Sequence, residues 1–353
     1  MAYLLLITGF TLLVTETLIG MITNGFIVLI ICIDWFRSKK LSPTDLILGC
    51  LGVSRLMWQA IVIMKVTMTF FFKSTYIQNY IRLMFITMWL FTNMVSLWFA
   101  AWLSVMYFVK IAIFSQPVFL RVKQRFSGLV LWLLLGSVVF SAFMNIIIIT
   151  ASNYGLSTCN PYEICPSNCT DTDIKIPQSC KYFIILTTAP HFLPITIFLS
   201  SSLLLITSLW NHIRHLRCNG INPRDLSTQA HLTAIKSLMF FAILYLSSFV
   251  AVTSQSLVIW TSRQRDWTSI FFENVSAVYP AGHAIILILI NPKLKQAWSH
   301  LLLKVFLPPP PPLDCSGLTL NLGRVSSSVA ELHVKDPRFD PQHLQLQESR
   351  CRL

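Results

Sequence analysis

Seven long apolar runs constrain this chain more than any other feature. They lie at about residues 4–33, 46–72, 81–109, 126–151, 182–210, 232–260 and 270–290. At 1.5 Å of rise per residue, each is long enough to cross a hydrocarbon core of ~30 Å as a helix. A bilayer interior offers no water to backbone N–H and C=O groups. Only helices and closed barrels can therefore span it, and barrel strands are much shorter than these runs. Composition enters here: hydrophobic residues are 54% and charged residues 12%. A soluble chain this apolar could not cover its own surface with polar groups. The expected fold is an all-α membrane protein, a bundle of seven transmembrane helices. The first run has no basic stretch ahead of it and no small-residue cleavage site, so it reads as an uncleaved signal-anchor and first helix.

The connections give the bundle a direction. One alternate set comprises residues 34–40, 110–125, 214–236 and 293–304, and holds fourteen Lys and Arg. The other set, with the flanks Lys65 and Arg82, holds seven, offset by Glu163, Asp171, Asp173, Asp266 and Glu273. The positive-inside bias places the first set in the cytoplasm and the N-terminus outside. The net charge of +13 is thus explained by inner loops, and no nucleic-acid partner is expected. The outer connection at 152–181 holds the acceptor Asn168-Cys169-Thr170, which can be glycosylated only outside. It also holds Cys159, Cys165, Cys169 and Cys180, enough for one or two disulfides with three possible pairings. Cys32, Cys50 and Cys218 read as packing residues or cytoplasmic thiols. A second acceptor, Asn274-Val275-Ser276, falls inside the seventh run and reads as unused. Residues 292–306 form a basic amphipathic stretch expected along the inner membrane surface. Together residues 1–306 make the seven-helix domain. From Pro308–Pro312 onward, 307–353 reads as a disordered, proline-rich cytoplasmic tail.

Polar residues inside the runs are the candidate functional groups, because charge in a bilayer is costly and faces the bundle interior. Helical rise turns position into depth. Asn24, Arg55 and His283 come out ~14, ~15 and ~12 Å above the cytoplasmic ends of the first, second and seventh helices. Three polar groups thus meet near mid-membrane, with the Arg55 guanidinium expected to donate to the Asn24 amide oxygen and to groups of the seventh helix. Such a cluster either glues helices together or acts as a conformational switch. A second layer lies ~24–30 Å up and holds Trp89, Asn93 and Glu273. Trp89 and Asn93 are four residues apart and share a face. A carboxylate, an indole and an amide facing outer water suit an amphipathic small molecule. Taken singly, Trp89 and Glu273 also fit an interfacial anchor and a snorkelling acid. Pro190 and Pro194 are expected to kink the fifth helix, and His191 lines the cavity or faces headgroups. No metalloprotease, dinucleotide, phosphate-loop or nucleophile-elbow motif occurs. No enzymatic activity, metal or cofactor is expected.

Local motifs are more specific. LSPTDLILGCLGVSR in the second helix resembles the LSxxDxIL…SR signature of bitter taste receptors (taste receptor type 2). WFAAWLSVMYFVKIAIF resembles that family's LSVFYFLKIANF stretch. LLLITSLWNHIRHL and NPRDLSTQAHLTAIKSLMFFAILY resemble its fifth-helix end and its DPSxxAHxxAxK…LY run, and GHAIILILINPKLKQ resembles HSxILIxxNxKLK. The matches run in order over about residues 20–300. Ala284 stands where the family has Ser. No Cys occurs near the outer end of the third helix, and neither DRY nor NPxxY is present.

The resemblance implies a plasma-membrane G-protein-coupled receptor for small bitter molecules. It implies coupling to a gustducin-type heterotrimeric G protein and to phospholipase C and calcium. By position, Asn24, Arg55, His283 and Ala284 match the inter-helix cluster. Trp89, Asn93 and Glu273 match the upper pocket, with His191 beside it. Tyr245 matches the sixth-helix tyrosine taken as an activation switch, and it is counted with Trp89, Asn93, Glu273 and His191 among the expected ligand-binding residues. The basic cytoplasmic ends, Lys110, His212, Arg214, His231 and Lys236, are expected to face the G protein, with Glu273 favouring ligands that carry a cation or a donor. The rivals are a vomeronasal type 1-like chemosensory receptor and a seven-helix transporter. Against the first stand PTDLILGCLGVSR and AHLTAIK, and against the second the lack of inverted repeats. Membrane lipid is the remaining expected partner, with homo- and hetero-oligomers left open.

Overall fold

A computed structural model describes residues 2–72, 79–111, 117–153, 178–218, 226–261 and 265–306. Eight helices follow in order: α1 (Ala2–Ser38), α2 (Pro43–Phe71), α3 (Asn79–Ile111), α4 (Pro117–Asn153), α5 (Gln178–Cys218), α6 (Leu226–Thr261), α7 (Arg265–Ile290) and α8 (Pro292–Phe306). The first seven are long and apolar enough to cross a membrane. Most extend past their apolar runs, because a helix propagates cheaply into the polar margin once its membrane segment is formed. The sharp breaks have local causes. Lys39 at φ 54° ends α1. The Ser42 hydroxyl then accepts from the Asp45 N–H at 3.1 Å, and Pro43 sits in the first turn of α2, a position where a missing N–H costs nothing. Pro190, Pro194 and Pro280 lie inside continuous helices.

Met1–Trp298 forms one compact unit. Within it α1 packs on α2 and α7, α2 on α3, α3 on α4 and α5, α5 on α6, and α6 on α7. The third helix is the most enclosed and the fourth the least. On α4, Trp132, Val139, Phe143 and Ile146 are all exposed, at helical spacing and with no polar residue among them. Such a stripe is stable only against lipid. The polar pattern is inverted relative to a soluble bundle. Asn24, Arg55, Gln59, Asn93, Gln255, Glu273 and His283 are buried while leucines face out. Close approach of α1 and α2 requires Gly52, where a Cβ would lie 2.7 Å from Val28 Cγ2. The last described residues, Ser299–Phe306, continue α8, with Leu301, Leu302 and Leu303 exposed. Asn168, Cys159, Cys165, Cys169 and the segment 307–353 lie outside the described residues, as does the side chain of Cys180. Cys32, Cys50 and Cys218 are free thiols.

Candidate functional site

Polar side chains from six helices meet in two layers. In the middle of the bundle, Arg55 Nη1 donates to His283 Nδ1 at 2.9 Å, and its guanidinium carbon lies 4.8 Å from the centre of the Tyr279 ring. Tyr279 is one turn before His283, so both present the same face of α7 to α2. Asn24 is not the acceptor that depth alone suggested. Its amide N–H donates within α1 to the Gly20 carbonyl at 2.8 Å and across to the Pro280 carbonyl at 3.3 Å. The arginine is long enough to pass α1 and reach α7, and the shorter amide ties α1 to the same turn of that helix.

Aromatic rings continue the layer sideways. Phe241 lies against His283 at 4.1 Å between centroids, and Tyr279 meets Tyr245 edge-on at 5.3 Å. Tyr245 stacks on Phe198 at 4.3 Å, with its hydroxyl 3.4 Å from the Leu97 carbonyl. One fully buried tyrosine on α6 thus touches α3, α5 and α7. It belongs to this layer and not to the outer one. Ala284 is fully buried one residue beyond His283.

The outer layer is built around an ion pair. The Lys65 ammonium donates to Glu273 Oε1, and Gln255 Nε2 donates to the same oxygen at 3.0 Å. The ammonium also lies 5.7 Å from the Trp89 ring centre, within cation–π range. Lys65 is 16% exposed and Glu273 6%, so the carboxylate is the deeper partner. Asn93 Nδ2 donates towards His191 Nε2 at 3.4 Å, joining α3 to α5. Two cavities, one beside His191 and one beside Asn93, have volumes of about 10 Å³ each. The second also touches Arg55, so Asn93 borders both layers.

The cytoplasmic mouth is different. A cavity of about 340 Å³ opens there, bordered by Asp45, Tyr107, Lys110, Phe241, Asn291 and others. His212 and His231 meet edge-on at 5.4 Å across α5 and α6, and Arg214 and Lys236 are exposed. Lys293 bridges Asp34 at 2.6 Å and Asp45 at 3.6 Å, tying the start of α8 to α1 and α2. Burial opposes the charge on Lys293, but the Asp34 and Asp45 carboxylates outweigh it and hold the ammonium above its ordinary value.

Sequence reasoning placed Lys65 as a flank of the second helix and passed over Gln255, Tyr279 and Tyr107. A signal for Lys65 was present. It stands ten residues beyond Arg55, hence ~30 Å up, level with Glu273.

Three comparisons bear on this arrangement. Residues 1–306 match the family described as Taste receptor protein (TAS2R). Taste receptor type 2 member 39 of Macaca mulatta is 36% identical over 297 residues, covering 82% of this chain and 84% of that protein. The Homo sapiens protein of the same name is 36% identical over 309 residues, covering 84% and 87%. Taste receptor type 2 member 7 of Macaca mulatta is 34% identical over 287 residues, covering 80% and 88%. Among solved structures, squid rhodopsin superposes with a TM-score of 0.57 at 13% identity over 84% of both chains, a likeness of fold.

Proposed function

The chain belongs to the taste receptor type 2 family, a multi-pass plasma-membrane protein and a G-protein-coupled receptor, and from that premise we propose how it works. A small bitter molecule enters from outside and binds between α2, α3, α6 and α7. Its binding shifts an equilibrium that the mid-membrane layer sets. The cytoplasmic mouth then engages a gustducin-type heterotrimeric G protein, which drives phospholipase C and calcium release.

The observation that carries this reading is the vertical order of the polar groups. Lys65 and Glu273 lie uppermost, Asn93 borders the cavity that touches Arg55, and Arg55 contacts the His283–Tyr279–Tyr245 stack above the open cytoplasmic cavity. A drug-sized ligand needs a cavity of about 300 Å³ or more, and the two cavities that described residues border at this level are far smaller. The Lys65–Glu273 contact is closed in this state. A ligand that opens it separates Lys65 from Glu273 and gains differential affinity for the open state, which is what a population shift requires. Glu273 is already neutralised, so a bare cation gains less there than a free carboxylate would give. Ligands able to contact both charges are favoured.

Lys110, His212, Arg214, His231 and Lys236 face the G protein in this scheme, and α8 lies along the inner leaflet. The test is expression with a calcium-coupled G-protein chimaera and a panel of bitter compounds. Calcium responses that need the chimaera are expected. Silence across a broad panel, with surface expression confirmed, overturns the receptor assignment.

A further inference from the structure

Among the described residues, nothing neutralises the charge on Arg55. The residue is 1% exposed, and a guanidinium keeps its proton even when buried. Among the described residues its contacts are neutral: an imidazole nitrogen and Tyr279, whose ring it faces and whose hydroxyl is also within its reach. Among the described residues no carboxylate pairs with it, whereas Lys65 has Glu273. Nε and Nη2 of Arg55 have no hydrogen-bond partner. An unpaired buried cation with idle donors is among the costliest things a fold can hold.

Beside it lies the small cavity of about 10 Å³, bordered by Arg55, Asn93, Ser96, Ser248, Ser276 and Tyr279 among others. That is room for one water-sized particle. The Ser276 hydroxyl is spent on the Glu273 carbonyl, but Asn93 keeps a second amide hydrogen, and Ser96 and Ser248 bring hydroxyls. The site lacks one negative charge, and its own acceptors are neutral hydroxyls and an amide oxygen. A single monovalent anion supplies the charge and accepts from several donors at once. Organic acids, sulfate and phosphate are too large for the space. Chloride is the smallest of the abundant stable anions; it is wider than water, so the Ser96 and Ser248 side chains must give slightly to admit it, and it accepts hydrogen bonds from any direction.

We propose that this cavity is a chloride site, with Arg55 as its cationic anchor and Asn93, Ser96 and Ser248 as its remaining donors. The ion completes a buried pair at mid-membrane, equivalent to the one Lys65 makes with Glu273. Because Asn93 and Arg55 both border it, occupancy stabilises the closed arrangement of the two layers.

The test needs no agonist, so its failure leaves the receptor assignment untouched. Full-length protein in lipid nanodiscs with sodium gluconate is titrated with sodium chloride at constant ionic strength, and thermal unfolding is followed. The expected result is a saturable rise of about 3 °C in melting temperature, reproduced by bromide and not by sulfate. A shift that is absent, or equal with sulfate, overturns the site and leaves water in the cavity. Arg55→Gln should lose the chloride response. Since that variant could fail to fold, Ser248→Asp provides a second arm by tethering a carboxylate beside the guanidinium. It should melt at the same temperature with and without chloride, and a full chloride response in Ser248→Asp overturns the proposal.

Discussion

The second helix carries two cations, the buried Arg55 and the half-buried Lys65, ten residues apart on one chain segment, and treats them in opposite ways. Lys65 has a carboxylate, an amide donor sharing that carboxylate and an indole face, and keeps 16% of its side chain accessible. Arg55 has an imidazole, a phenol ring and no acid among the described residues. A compact ammonium close to the outer face can be held by one acid and exchanged for a ligand. A planar guanidinium at the centre has several donors and cannot shed its charge, so its environment must supply acceptors from several helices at once. In the proposed scheme, the upper cation of this one helix meets the ligand and the lower one registers how helices are arranged.

This difference sets the size of each expected effect. Arg55→Ala should be the most damaging, because it removes the tie between α2 and α7 and leaves a cavity. A loss of about 3–5 kcal/mol in unfolding free energy is expected, with calcium responses abolished. An Arg55→Ala receptor as stable as Lys65→Ala would erase the distinction between the two cations.

Next comes the ion pair. Glu273→Gln and Lys65→Gln each strand one buried charge and should each cost about 2–3 kcal/mol. The double substitution should cost at least ~1 kcal/mol less than their sum. A double-mutant cycle on melting temperature measures this, and strict additivity would mean the pair is not an interaction. In the same cycle, agonists carrying a single positive charge should gain potency in Lys65→Gln, where Glu273 is freed, and lose it in Glu273→Gln. Unchanged potency in both would place the ligand elsewhere.

Smaller still, Ala284→Ser returns a hydroxyl to a fully buried position one residue from His283. A change of about 0.5–1 kcal/mol is expected, read as a few-fold shift in agonist potency. The smallest effect belongs to Lys293→Gln. Its bridges to Asp34 and Asp45 are partly exposed, so the loss should be within ~1 kcal/mol and shrink with added salt. Because the folded-state value of Lys293 is raised, its contribution is complete at neutral pH and fades only as pH rises past that value. Thermal melts across the alkaline range should show no contribution lost near pH 7.

Particular residues show how far the sequence could be read. The seven spans were legible because a bilayer demands about twenty apolar residues from every helix that crosses it, whatever its neighbours do. Helical rise placed Arg55 and His283 at one depth, and they touch. Depth is one coordinate of three, however. It also put Asn24 beside Arg55, and the structure turns that amide towards Pro280. Tyr245 was grouped with the ligand-facing residues, yet it is enclosed among Phe198, Tyr279 and the Leu97 carbonyl. Lys65 reads first as a flank, because a lysine near a helix end is ordinarily solvated, although its depth already put it level with Glu273.

By itself, the sequence determined the number of spans, their direction, the family and the set of polar residues that lipid could not accept. These follow from local composition and from rise along an axis. Only the tertiary structure decided which of those residues are partners. Partnership depends on how each helix is rotated about its own axis, and that rotation is set by packing against neighbours distant in sequence. It gave Lys65 an acid, left Arg55 without one among the described residues and opened a water-sized space beside it.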